Sequence, residues 1–473
     1  MAPLVLAVAA TAFVSFVPSS HASTTPVHAE RAPTAPTSEK LEAEVDALVA
    51  RFLKRPGAAG LSVAIAKGDE LVLAKGYGLA DAEFDAPADA DTCFRIGSVT
   101  KQFTATLVMK FVEEKKLGLD DDLSKHCPEF PLQGKKVTIR QLLNHTSGIP
   151  SYTDIGEAWE KVWPLELSHA ELLALVKDKP FDFEPGTSWA YNNTGYYLLG
   201  MVLEKLSGAT YDELVRKELA KPLGLERTRR DSNVDLIKNR AQGYGVESTP
   251  MGPRLVNDQV YGTNQPGAAG MLLSTAKELV TWQRALTSGR VVSKESFAQM
   301  TTPTVLPDGK NTDYGFGLMI GDFEGHRRIS HGGGIFGFNS ILAWYPDDAL
   351  HVAVISNGEA LRSEDVEAEL VWIALGLPRP TPKDLAIPAD KLSKLAGVYT
   401  IGLLNMQADV TAEGGKLFLK ARAPGQEKFR LLYQGESEFR AEFDPKVKVL
   451  FSSDGASFRL FQGGGQFEAK RDA

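Results

Sequence analysis

Strand patterns stand at both ends of one long stretch of this chain, and helical patterns fill the space between. Residues 61–78, "LSVAIAKGDELVLAKGYG", read as two β-rich runs around a polar Lys67-Gly68-Asp69-Glu70 turn. Strands return at "HRRISHGGG" (326–334), "FNSILAWYP" (338–346) and "LHVAVISN" (350–357). The interval from about 120 to 290 is mostly helices and loops, as in "TGYYLLGMVLEKLSG" (194–208) and "STAKELVTWQRAL" (274–286). A sheet fed from both ends with a helical insert predicts an α/β sandwich, an antiparallel sheet flanked by helices, carrying a helical subdomain.

A helix precedes the hairpin, because Leu41, Val45, Leu48, Val49, Phe52 and Leu53 share one stripe. A second spans 98–117, with Phe103, Leu107 and Phe111 at four-residue spacing and Gly118 placed to stop it. Pro378, Pro380, Pro382 and Pro388 then mark a semi-rigid linker. Beyond it come short strands parted by Gly, Asp and Ser turns, the pattern of a small all-β barrel. The expected domains are a signal peptide at 1–22, a flexible tether at 23–38, the α/β unit at 39–377, the linker at 378–388 and the barrel at 389–473.

Leu4 to Val17 is apolar and is followed by Ser20-His21-Ala22, a small-x-Ala cleavage pattern, although no Lys or Arg precedes the run. Export to the periplasm or outside the cell is the expectation. No later stretch holds 18 consecutive apolar residues, so no integral membrane segment is expected after signal removal. A formal charge of −8 without a Lys/Arg cluster argues against a nucleic-acid partner. Cys93 and Cys127 suit one disulfide or two buried thiols equally, and neither supports a metal site.

Several constellations are absent from the sequence: G-x-S-x-G, H-E-x-x-H, C-x-x-C and the Gly-rich phosphate cradles. Neither a metal nor an organic cofactor is expected. What remains is Ser98-Val99-Thr100-Lys101 at a helix start. Residues three apart on a helix are neighbours, and a Lys among apolar groups loses its preference for the charged form. A neutral Lys101 could then take the Ser98 proton. Alone the pattern is weak, since a capping Ser followed by a solvated Lys is common.

Two more stretches add to it: Tyr191-Asn192-Asn193 in "PGTSWAYNNTGYYLLG", and His331-Gly332-Gly333 on a predicted strand. In this order, with "TIRQLLNHTSGIPSY" (138–152), "PGAAGMLLSTAKEL" (266–279) and "YGFGL" (314–318), the chain resembles the serine β-lactamase and penicillin-binding-protein superfamily. The likeness is to the branch with class C β-lactamases, class VIII carboxylesterases and D-aminopeptidases, over about residues 39–375. The last segment, with "LAGVYT" and "GGKLFL", resembles the lipocalin-like domain that some of these hydrolases carry.

The resemblance implies an acyl-enzyme on Ser98, with Lys101 and Tyr191 sharing proton transfer and either one as the base. It implies that Asn193 contacts Lys101 and a substrate carbonyl. Backbone N–H groups of Ser98 and Gly334 would form an oxyanion hole, each donor worth ~3 kcal/mol. The His331-Gly332-Gly333 motif replaces the Lys-Thr-Gly that holds a substrate carboxylate in β-lactamases, so esters, or small amides and peptides lacking that carboxylate, are expected over β-lactams. A D-stereospecific aminopeptidase or DD-peptidase, a class C-like β-lactamase, and a penicillin-binding sensor with slow turnover remain open. So does the oligomeric state. His145 reads as a turn residue bonding its local backbone, and Tyr196 and Tyr197 as helix packing.

Overall fold

The computed structural model describes residues 38–472, except 250–251, 378–381, 402–405, 423–425, 427, 446 and 463–464. The expected signal peptide, all of the expected tether but Ser38, and the first four residues of the Pro-rich linker lie outside the described residues. Ser38 itself begins a helix. The described chain falls into two compact units that divide after Leu377.

In the first unit a seven-stranded antiparallel sheet runs in spatial order Ala86–Pro87, Glu70–Asp81, Gly60–Lys67, Leu350–Ser356, Phe338–Tyr345, His326–Ile335 and Met319–Phe323. The strand Gly60–Lys67 from one end of the sequence pairs with Leu350–Ser356 from the other, Val63 opposite Val354. Period-two alternation divides the core. Leu61, Val63 and Ile65 pack with Val45, Val49, Val366 and Leu370 of the helices Ser38–Leu53 and Ser363–Leu375. Ala64 and Ala66 face the opposite layer, which holds Phe103 and Trp282 stacked at 4.1 Å. Short side chains there let the helix Ala276–Thr287 lie close to the sheet.

Sequence and structure differ in two places. The helix after Ser98 ends at Glu113 rather than near Gly118. Lys115 takes the left-handed conformation (φ 57°), and the N–H groups of Lys115 and Lys116 close on the Val112 and Phe111 carbonyls, a Schellman ending. The middle region also holds a hairpin, Tyr244–Thr249 paired with Gly252–Asn257, whose polar, glycine-containing strands carry no apolar alternation to announce them. Cys93 and Cys127 are both buried free thiols.

The second unit is a closed eight-stranded barrel in sequential order, sealed where Gly397–Ile401 pairs with Gly465–Arg471. Closure pairs the edge strands with each other. Tyr399, Phe439, Phe451 and Phe458 fill the interior, and the Tyr399 hydroxyl donates to the Leu395 and Gly455 carbonyls.

Candidate active site

Ser98 lies in a single 3-10 turn, Gly97–Val99, that runs straight into the Thr100–Glu113 helix. The turn is pinned from two sides. Ile96 N–H donates to the Leu272 carbonyl at 3.0 Å, and Ser340 Oγ donates to the Ile96 carbonyl at 2.8 Å. Gly97 has φ of 48°, and a Cβ there would sit 3.0 Å from both N and O of Gly334. Only glycine allows the Ser98 turn to press on that strand. At Gly333 a Cβ would lie 2.0 Å from the Ile96 carbonyl oxygen, so a second glycine is needed for the same approach.

Lys101 is completely buried, and its Nζ has three partners: Ser98 Oγ at 2.9 Å, Asn193 Oδ1 at 2.8 Å and the Ala269 carbonyl at 2.9 Å. Burial holds the pKa of Lys101 well below the ordinary lysine value, and no charge offsets it. The partners fix which way the amine's hydrogens and lone pair point. Asn193 Oδ1 and Ala269 O only accept, so they take the two N–H bonds of a neutral amine and leave its lone pair for the Ser98 hydroxyl. Asn193 opens the Asn193–Ser207 helix, where Asn192 Oδ1 caps the Gly195 N–H. Its Nδ2 donates to Thr153 Oγ1 at 3.0 Å, which keeps Oδ1 turned to the lysine.

Tyr191 completes the group. Its hydroxyl makes a hydrogen bond with Ser98, and its ring centroid is 4.8 Å from Lys101 Nζ. Burial raises the phenol above its usual pKa, so it stays protonated and able to donate. His331 is also buried. Its Nδ1–H donates to the Gly332 carbonyl at 2.6 Å, leaving Nε2 to accept from the Tyr314 hydroxyl at 2.8 Å. Burial, and the Lys101 nitrogen nearby, push the His331 pKa down to about 3. With the ring engaged at both nitrogens and 2 % exposed, His331 faces Tyr314 and sits 6.1 Å from the Tyr191 ring. Gly332 looks to the other side of the sheet, where a Cβ would lie 2.9 Å from Glu364 Oε1. Gly334 is the exposed member of the motif, beside the Ser98 turn.

The structure therefore gathers Ser98, Lys101, Tyr191 and Asn193 into one hydrogen-bonded group and brings Gly333 and Gly334 against the turn. It keeps the His331 side chain one layer back. A family model described as "Beta-lactamase" matches residues 45–376, most of the chain. The chain belongs to the beta-lactamase family. This family member is 30% identical over 438 residues to a penicillin-binding protein of Bacillus subtilis, covering 87% of this chain and 94% of that one. It is 27% identical to a D-aminopeptidase of Gluconobacter oxydans, over 89% of this chain and 76% of the relative. Among solved structures, an octameric penicillin-binding protein homologue from Pyrococcus abyssi aligns with TM-score 0.63 and 27% identity, covering 91% of this chain and 99% of that one. A D-amino acid amidase from Ochrobactrum anthropi aligns with TM-score 0.61 and 25% identity, over 72% and 97%. Like these hydrolase relatives, this beta-lactamase family member is a serine hydrolase.

Three participants carry no signal of their own in the sequence. The Ala269 carbonyl is backbone, and only its place within "PGAAG" hinted at it. Tyr314 lies in "YGFGL", where Gly317 (φ 68°) lets the loop touch the Lys101 carbonyl, since a Cβ there would be 2.6 Å away. His145 corrects the reading of a locally bonded turn histidine. Its Nδ1 accepts from the N–H of Asn192, 47 residues away. Tyr196 and Tyr197 are packing residues, the Tyr196 hydroxyl donating to the Leu143 carbonyl. Among the described residues no group of His, Cys, Asp and Glu could hold a metal ion, and no helix is long and apolar enough to cross a membrane.

Proposed function

We propose that this protein hydrolyses small amides and esters through an acyl intermediate on Ser98. One observation carries the reading: a buried Lys101 without a counter-charge whose two acceptor-only partners leave its lone pair for the Ser98 hydroxyl. Lys101 takes the hydroxyl proton as Ser98 Oγ bonds to the substrate carbonyl carbon. The N–H groups of Ser98 and Gly334 hold the oxyanion. As the intermediate collapses, the bond to the leaving amine or alcohol breaks and the Tyr191 hydroxyl supplies its proton, replenished from Lys101. Water then gives a proton to Lys101 as its oxygen bonds to the acyl carbon, the bond from that carbon to Ser98 Oγ breaks, Oγ takes the proton back from Lys101, and the acid leaves.

The substrate class follows from what the third motif offers. A neutral His331 turned to Tyr314, and a Gly332 without a side chain, give a substrate carboxylate neither charge nor hydroxyl. Neutral esters and amides are favoured over β-lactams. The D-aminopeptidase and D-amino acid amidase relatives favour amides of small D-configured acyl groups within that class. Export by way of residues 1–22, and a lipocalin-like identity for the barrel, complete the proposal.

The test compares wild type with Ser98→Ala on a p-nitrophenyl ester, a D-alanyl anilide and a chromogenic cephalosporin. Expected is Ser98-dependent turnover of the first two, with an acyl adduct on Ser98 trapped by acid quench. A cephalosporin rate above both would overturn the substrate class. Rates untouched by Ser98→Ala would overturn the mechanism.

A further inference from the structure

Tyr191 has to hold its hydroxyl on Ser98 although it lies in an irregular segment just before a helix. The segment is gripped on both sides of Tyr191 by one residue. Ala190 N–H donates to the His145 carbonyl at 3.1 Å, and Asn192 N–H donates to His145 Nδ1 at 3.1 Å. The His145 ring also lies against the Tyr191 ring, 4.5 Å between centroids, and against Tyr314 at 4.6 Å and Tyr196 at 5.2 Å. His145 adopts φ of 62°, the left-handed region that residues other than glycine enter in only a few per cent of cases, although histidine does so more readily than most. Its Nε2 is buried without a hydrogen-bond partner among the described residues.

These costs have no local return. A left-handed histidine with one orphaned nitrogen destabilises the loop by itself, and strain of this kind persists where the surroundings over-determine it. What His145 delivers is a rigid, flat acceptor that reaches across to the N–H of Asn192, the residue after Tyr191. We propose that His145 is the positioning residue that fixes Tyr191 for proton delivery to the leaving group. It acts through Tyr191 and the neighbouring backbone. The proposal rests on the role given to Tyr191 above.

The consequence is selective. An amine leaving group must be protonated as it departs, whereas p-nitrophenolate leaves unaided. Displacing Tyr191 therefore harms anilide turnover and largely spares the activated ester. His145→Phe keeps a ring and removes the acceptor. His145→Asn keeps an acceptor at the Nδ1 position and tolerates the left-handed backbone.

The experiment measures kcat and KM for a D-alanyl anilide and the matching p-nitrophenyl ester in wild type, His145→Phe, His145→Asn and Tyr191→Phe. Expected in His145→Phe is an anilide kcat about 100-fold lower, an ester kcat within about threefold and little change in KM, with Tyr191→Phe showing the same split. His145→Asn should recover anilide turnover by about tenfold over His145→Phe. If Tyr191→Phe splits the substrates and His145→Phe lowers both alike, the inference is overturned and the mechanism stands. If Tyr191→Phe lowers both alike, the role of Tyr191 fails and the inference with it. Should His145→Phe fail to fold, His145→Asn decides. An anilide-to-ester ratio there about tenfold below wild type, with that of Tyr191→Phe lower still, supports the acceptor role, and a ratio equal to wild type or as low as that of Tyr191→Phe overturns it.

Discussion

Asn193 holds Lys101 by its side-chain oxygen, 2.8 Å from Nζ, where a carboxylate of the same shape would fit. The choice of an amide there keeps opposite charge away from the buried amine. Asn193→Asp gives the ammonium a counter-charge and raises the lysine pKa. The amine form then appears only at higher pH. The acidic limb of the kcat/KM profile should move to higher pH, with a loss of rate at neutral pH. A limb that stays in place would mean that Lys101 is not the proton acceptor.

Gly97 and Gly334 meet where a single methyl group has no room. Gly97→Ala places a Cβ 3.0 Å from the Gly334 backbone and puts it at φ of 48°. The strain costs about 1–3 kcal/mol, and moving an oxyanion donor lowers kcat by about tenfold or more. Urea unfolding and ester kinetics on one preparation would read both losses. A stability loss with unchanged kcat would remove Gly334 from the oxyanion site.

His331 links the third motif to acid stability. Its folded pKa, about 3, lies below the ordinary histidine value of 6.5, so between these values the unfolded chain binds a proton that the folded chain refuses. Stability is complete above pH 6.5 and falls as the pH drops towards 3. The slope is ~1.4 kcal/mol per unit once the unfolded histidine is charged. His331→Gln should flatten the wild-type curve between pH ~4.5 and ~6.5, whatever its stability at neutral pH. Parallel curves would show that the residue titrates normally when folded.

Phe103 stacks on Trp282 at 4.1 Å, joining the helix that carries Lys101 to the helix Ala276–Thr287. Phe103→Ala leaves a cavity and should cost ~3–5 kcal/mol, read as a lower denaturant midpoint. The Ser98–Lys101 pair lies on the same helix one turn earlier, so activity at low temperature should persist in the fraction that remains folded.

The legible parts of this chain are those whose information is local. Ser98 and Lys101 are three residues apart, so helical geometry alone placed them together, and the period-two runs at 61–78 and 338–357 announced the sheet. The barrel was readable from its even spacing of strands. Asn193 and Tyr191 became legible only in company with the other motifs, because a Y-x-N triplet has no chemistry by itself. The Ala269 carbonyl reaches Lys101 across 168 positions and leaves no trace in side-chain identity. His145 misled for a related reason. Its sequence neighbours offer a turn, and its actual partner comes from the far side of a loop that no periodicity describes.

The side chains around Ser98 also bear on which substrates are held there. Lys101 is driven towards its amine, His331 is held as imidazole, and Tyr191 and Asn193 carry no charge, so the side chains nearest Ser98 act as dipoles rather than ions. Dipoles of this kind give an anion no counter-charge beside Ser98 and leave recognition there to shape and short-range hydrogen bonding, which salt screens little.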